Sequence, residues 1–277
     1  MGITKSPEFA HIKAKKSSGS LLWSLESKSG LTSYLFGTMH VRSSVAHQFL
    51  DKISPYLQRC EVLAAEMNLD EFDHVAMVQG SGLPPGTSLE SLMGSKKYVK
   101  ARKSILNSFH VDLDHFKTRH PFFANAAISE SLMVNDQLES LDQEIWNRSK
   151  DLNMTRVGLE SFMEQLTIMQ KISPQDSIGQ IKYIGRNPGN FRRNLQKLIN
   201  FYVDQDVNKL YKSSRKQLEG MRKTLLFDRN RIMARRLSRL IADQSVFAAI
   251  GAAHLAGAKG MLRLIKHHGF LVKPVIL

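Results

Sequence analysis

The stretch Ser-Val-Phe-Ala-Ala-Ile-Gly-Ala-Ala-His-Leu, from Ser245 to Leu255, decides how the chain is read. Residues 246–250 are an unbroken apolar run, long enough for one buried strand. Gly251 stops the run, since glycine lets the backbone turn without a Cβ penalty, and His254 follows three residues later. A side chain just past such a strand lies at the rim of a sheet, where reactive groups gather. The same device recurs near the other end of the chain. Residues 32–36 are strand-like, Gly37 closes them, and His40 stands three residues on. A single Gly-x-x-His unit reads as a surface histidine or a helix cap. Two in matching contexts, Gly37-Thr38-Met39-His40 and Gly251-Ala252-Ala253-His254, point to two imidazoles converging on one site.

Working outward, residues 21–25 and 31–36 read as two strands joined by Ser27-Lys28-Ser29-Gly30, a hairpin-turn composition. Residues 61–66 read as a third strand with Glu66 at its exit, and 156–160 as a fourth with Glu160 at its exit. A carboxylate leaving an apolar strand is costly to place unless it is paired, hydrogen-bonded or metal-bound; the alternatives are a solvated loop residue or a helix cap. Residues 270–276 form a last strand, and Pro274 marks it as an edge. Ser43 or Ser44 caps a helix from near Val45. The segment to about residue 150 is helical, broken at His120-Pro121, where proline opens a new helix. Residues 143–153 read as a polar surface segment.

Residues 224–241 form an amphipathic helix with Leu226, Met233, Leu237 and Leu240 on one stripe. Arg229 and Asn230 fall on or beside it, and an arginine there must meet a carboxylate, a backbone carbonyl or a substrate anion. Residues 256–267 read as a final helix. The expected fold is α/β (α+β): a central mixed sheet built from N- and C-terminal strands, flanked by helices, with a mostly helical middle segment. Residues 1–18 are expected to be a flexible basic arm and 19–277 a single domain with a helical insertion at about 70–155.

A chain of 277 residues with 42% hydrophobic content can build a real core. Its one cysteine, Cys60, excludes an intrachain disulfide and a cysteine-rich zinc site. Met1 to Ser20 is polar and basic without an apolar core, so the expectation is a cytoplasmic protein, or an exported one if a signal has been removed. No run is apolar enough to span a membrane. Net charge is +14, which favours acidic partners. Residues 209–239 carry eleven Lys/Arg against Glu219 and Asp228. The run lacks the interleaved aromatics of single-strand binders, so no nucleic acid is expected. A homodimer is compatible with the sequence.

If both histidine loops and the two glutamate exits share one sheet edge, the set suits a divalent metal with open positions for water. It equally suits metal-free hydrolysis, with His as general base and Glu orienting it. There is no Gly-x-Ser-x-Gly elbow, no His-Glu-x-x-His helix and no phosphate-binding glycine loop. The alternative is a non-catalytic binding protein of the same fold, holding a small ligand or haem in the pocket or an anionic partner on the basic helices.

Taken in order, Gly-Thr-Met-His, Ala-Glu-Met-Asn, Val-Gly-Leu-Glu-Ser followed by Glu-Gln, Asp-Arg-Asn-Arg-Ile-Met-Ala and Val-Phe-Ala-Ala-Ile-Gly-Ala-Ala-His-Leu-Ala-Gly resemble the TraB/GumN family, which is related to the Tiki proteases. The resemblance runs from about Leu21 to Pro274. It implies that His40, Glu66 and His254 are the functional centre and metal ligands. Glu160, Arg229 and Asn230 would support them, beside Gly37 and Gly251. It further implies a metal-dependent hydrolase acting on peptides or another small substrate, with manganese or cobalt as its ion.

Overall fold

The chain enters its sheet through the expected hairpin, β1 (Leu22–Glu26) and β2 (Thr32–Thr38), followed by β3 (Val62–Met67), β4 (Thr155–Glu160), β5 (Val246–Gly251) and β6 (Leu271–Val275). The computed structural model describes residues 19–133 and 136–277, so the expected N-terminal arm lies outside the described residues. The strand order is β4-β3-β5-β2-β1-β6. β4, β3, β5 and β2 run parallel, while β1 is antiparallel to both β2 and β6. The sheet is therefore mixed, as expected, and Pro274 does sit in an edge strand.

β5 buries five consecutive residues, Val246 to Ile250, which is the pattern of a strand covered on both faces. Its place between β3 and β2 follows from that continuous apolarity. The two strand–glycine units pair directly, with Gly37 opposite Ile250 and Thr38 opposite Gly251. Both histidine loops thus leave the same edge of the sheet, from neighbouring strands.

Between β2 and β3 lie α1 (Ser44–His47), capped by Ser43, and α2 (Leu50–Leu57). Between β3 and β4 come α3 (His74–Gly80), α4 (Leu89–Met93), α5 (Ser95–Phe109), α6 (Pro121–Glu130) and α7 (Leu141–Asp151). After β4 follow α8 (Phe162–Gln170), α9 (Pro174–Arg186), α10 (Pro188–Val203), α11 (Val207–Gln217) and α12 (Arg229–Asp243), and after β5 comes α13 (Met261–His267). α7 packs on β3 and β4, and α12 packs on β4 and β5. A second core, with Tyr98, Ile105, Ile128 and Ile181, joins α5, α6 and α9. A third, rich in Met and Phe, lies between α8 and the exit of β3. Among the described residues, no helix is long and apolar enough to cross a membrane.

Three local expectations are corrected. Residues 143–153 are not a surface segment: α7 buries Ile145 and Trp146 completely. Trp146 Nε1 donates to Asp70 Oδ1 at 3.2 Å. Few apolar residues mark this helix, so its buried side was hidden by its polar average. The helix expected at 224–241 begins instead with a π-helical turn, Lys223–Asp228, before α12. The helix expected from residue 256 starts at Met261, because Gly257 takes φ +95°. A Cβ at Gly257 would stand 2.4 Å from the Tyr211 ring, so no side chain fits that turn.

Replacing Trp146 by Ala should destabilise the protein by about 3–5 kcal/mol, the range for emptying a large aromatic site in a core. Leu138→Ala, at a position 94% exposed, should stay within roughly 0.5 kcal/mol. Urea denaturation of the two variants reads the difference directly.

Candidate active site

Four strand exits deliver the site. The loop after β2 brings His40, the end of β3 brings Glu66, the end of β4 brings Glu160, and β5 with the following 3-10 turn Ala252–His254 brings Gly251 and His254. The first residues of α12, directly after the π-helical turn, bring Arg229 and Asn230.

Glu66 is the hub. Its Oε1 accepts the Gly251 backbone N–H at 2.7 Å. The same oxygen stands 3.7 Å from His254 Nε2 and 3.9 Å from His40 Nε2. Its Oε2 accepts from Arg229 Nη2 at 2.5 Å. Arg229 also grips Glu160, through Nε at 2.9 Å and Nη2 at 2.6 Å to Oε2. The arginine expected to need a carboxylate therefore has two, and the two strand-end glutamates are joined through it. Gln165 adds a 3.4 Å contact to Glu160 Oε2.

Each imidazole is held from behind. Asn230 Oδ1 is 2.6 Å from His254 Nδ1, while Asn230 Nδ2 donates to the carbonyl of Lys259 at 2.7 Å. That second bond sets the amide so that its oxygen faces the ring and the ring proton sits on Nδ1. His40 Nδ1 stands 2.8 Å from Asp142 Oδ2, an ionic contact that is the partner of an otherwise unbonded oxygen. Asp142 Oδ1 accepts from Thr38 Oγ1 at 2.6 Å. Both Nε2 atoms are consequently left facing Glu66 Oε1.

The environments of the two histidines differ. The Asp142 carboxylate, the dominant influence, holds His40 well above the usual imidazole range, although burial opposes it and Glu66 assists. The His40 side chain is 59% accessible, so water tempers that effect. Burial, followed by the charges of Arg229 and His40, pulls His254 down to about 4 against the attraction of Glu66. For Glu66 burial pushes upward, but the cationic neighbours outweigh it and hold the carboxyl well below its ordinary value. Opposite displacement of neighbouring titratable groups marks a division between acid and base.

Sequence reasoning did not find Asp142, Thr38 or Tyr202. Asp142 sits in the first turn of α7, where an acid reads as complementing the helix dipole, so no signal distinguished it. The Tyr202 hydroxyl donates to the Gly37 carbonyl at 3.1 Å. Gly37 itself stays outside the cluster. A Cβ there would meet Leu255 Cδ1 at 2.6 Å and Ala252 Cα at 3.1 Å, so its bareness lets the His254 turn approach β2. At Gly251 a Cβ would stand 3.1 Å from Glu66 Oε1 and 3.7 Å from His40 Nε2, inside the site.

The donor set fits a divalent cation in chemistry. Two imidazole nitrogens with anchored Nδ1 atoms and one carboxylate oxygen face a common point, and the second-shell partners are of the kind that orient metal-binding histidines. Two carboxyl groups, those of Glu66 and Glu160, face the Arg229 guanidinium. Among the described residues no three His, Cys, Asp or Glu side chains are yet drawn together closely enough to hold an ion. The 3.7 and 3.9 Å separations exceed by a few tenths of an ångström the roughly 3.4 Å between donors of a tetrahedral ion. Beside Glu160 a crevice of about 330 Å³ opens between Glu71, Ser161, Glu164 and Arg236. Arg236 holds Glu164 down to about 2 and ties α12 to α8.

A sequence model of the TraB/PrgY/gumN family matches residues 21–274. No curated protein and no solved structure matches the chain.

The stability of the protein in the presence of a chelator should pass through a maximum near pH 6.5. Between about pH 4 and 6.5 the unfolded chain protonates His254 while the folded one does not, so stability falls with falling pH by on the order of 3 kcal/mol. Glu66 adds to this loss below about pH 4.5, where it protonates only in the unfolded chain. Above about pH 6.5 the folded chain keeps the His40 proton that the unfolded chain has lost, so stability falls as pH rises. Urea denaturation across this range should show the acid limb flattened in His254→Gln and the alkaline limb flattened in His40→Gln. Unchanged limbs in both variants would contradict these environments.

Proposed function

Since the chain belongs to the TraB/PrgY/gumN family, we propose that it is a metal-dependent hydrolase acting on peptides. One observation carries this reading: two histidine Nε2 atoms face the same Glu66 oxygen, and each ring is held at Nδ1 by an acceptor from a helix, Asp142 of α7 and Asn230 of α12. His40, Glu66 and His254 would hold the ion, manganese or cobalt. When bound, it would lower the pKa of a water and polarise the scissile carbonyl.

The chain's own residues do the positioning. Arg229 keeps Glu66 ionised at neutral pH and fixes it relative to Glu160. Asp142 and Asn230 hold a proton on each Nδ1, so that each ring turns its Nε2 toward Glu66. His40 gives up any Nε2 proton when it binds, so affinity rises with pH and binding releases protons. Gly251 leaves the centre open where a side chain would obstruct it.

A second reading, metal-free hydrolysis with protonated His40 as acid and neutral His254 as base, is favoured by their opposite displacement. Chelation separates the two, because it would leave metal-free turnover intact.

Thermal unfolding of chelator-treated protein, titrated with manganese and cobalt, should show a rise of about 5 °C at a hundredfold excess over Kd. The rise should vanish in the His40→Ala/His254→Ala variant, which should also lose turnover in a peptide screen. No shift with either ion removes the metal reading. Asp142→Asn should weaken the metal roughly 10–100-fold, measured by the same titration, while leaving the metal-free protein folded.

A further inference from the structure

We propose that the outer face of α12 and α13 docks onto an anionic lipid bilayer. α12 has two sides of different character. Met233, Leu237 and Ile241 are buried in the main core. Arg231, Arg235 and Arg239 stand one turn apart and are exposed. The helix's other two arginines, Arg229 and Arg236, turn to the carboxylates of Glu66, Glu160 and Glu164. The outer row has no such use. Arg231 touches Asp228 at 3.5 Å. Among the described residues, Arg235 and Arg239 have no acidic side chain within ion-pair distance. α13 packs along α12 and adds exposed Arg263 and Lys266, with exposed His268 directly after it.

Between the helices runs a groove of about 290 Å³ lined by Arg231, Ile232, Ala234, Arg235, Leu264 and His268. Its floor is aliphatic and its rim cationic. That combination selects the occupant. A nucleic acid would use the cations but leave Ile232 and Leu264 without a partner, since the floor offers no aromatic ring for a base. A bilayer surface offers both components: anionic headgroups for the arginine row and glycerol or acyl carbon for the floor. The carboxyl edge of the sheet would then lie near the lipid surface, because Arg231 is two residues from Arg229. The inference stands independently of the reaction catalysed.

The test is co-sedimentation of the full chain with phosphatidylcholine vesicles, with and without one third phosphatidylserine, at low and high salt. Binding should require the anionic lipid and weaken with salt. Each arginine is worth about fivefold (roughly 1 kcal/mol) near such a surface, so Arg231→Ser/Arg235→Ser/Arg239→Ser should lower partitioning about a hundredfold. Ile232→Ser should lower it severalfold without changing the salt dependence. Lys97→Ser/Lys100→Ser/Lys103→Ser, which removes the same charge from exposed positions of α5, should stay within about twofold. Unchanged melting temperatures establish that the variants fold. Equal binding to neutral vesicles, equal loss in the α5 control, or wild-type binding by the arginine variant would each overturn the proposal. So would tighter binding to duplex DNA than to the vesicles, or displacement by inorganic phosphate at constant ionic strength.

Discussion

A single buried guanidinium organises the carboxyl edge of this protein. Arg229, its side chain 13% accessible, stands between Glu66 and Glu160 and bonds to both. Two carboxylates withdrawn from water would each be costly alone, and the arginine answers both at once. Removing one partner of such a group leaves a buried charge uncompensated, which costs about 3–5 kcal/mol. The same contacts fasten the start of α12 to the ends of β3 and β4, so the position of Asn230, and through it His254, depends on them.

From that anchor the site divides into a held half and an open half. His254 is buried and pinned by Asn230, which also bonds to the loop leading into α13. His40 stands at the rim, backed by Asp142 from the first turn of α7. One histidine is desolvated and the other faces a carboxylate in partial contact with water. Their opposite protonation tendencies follow from those surroundings and not from any difference in the residues. Packing supplies the rest. Gly37 admits the turn that carries His254, and Gly251 keeps the centre free of side-chain atoms.

Much of this was legible in the chain. The apolar run 246–250 reads as one buried strand and residues 27–30 as a hairpin turn joining two strands near the N-terminus, whereas the pairing of β5 with β2 and β3 is not in either local pattern. Repetition of Gly-x-x-His pointed to two imidazoles converging on one site, and the glutamates at two further strand exits would join them if all four shared one sheet edge. Arg229 declared itself as a cation on an apolar stripe. Asp142 did not, because an acid in the first turn of a helix has an ordinary explanation. The buried Trp146 was concealed by polar neighbours, and the π-helical turn before α12 left no mark in the apolar periodicity.

The sequence by itself determined the elements whose signal is local: the strands, the glycines that end them, and the residue types that follow. Those depend on periodicity of two or 3.6 and on the backbone freedom of glycine, which neighbours in the chain reveal. Only the tertiary structure decided which carboxylate backs which histidine, that Arg229 bridges two strand ends, and that Arg235 and Arg239 of α12 have no acidic side chain within ion-pair distance among the described residues. Such pairings join residues far apart in the chain, such as His40 with Asp142 and Arg229 with Glu66. They are settled by how helices cross the sheet, a matter of packing between distant segments that no local pattern encodes.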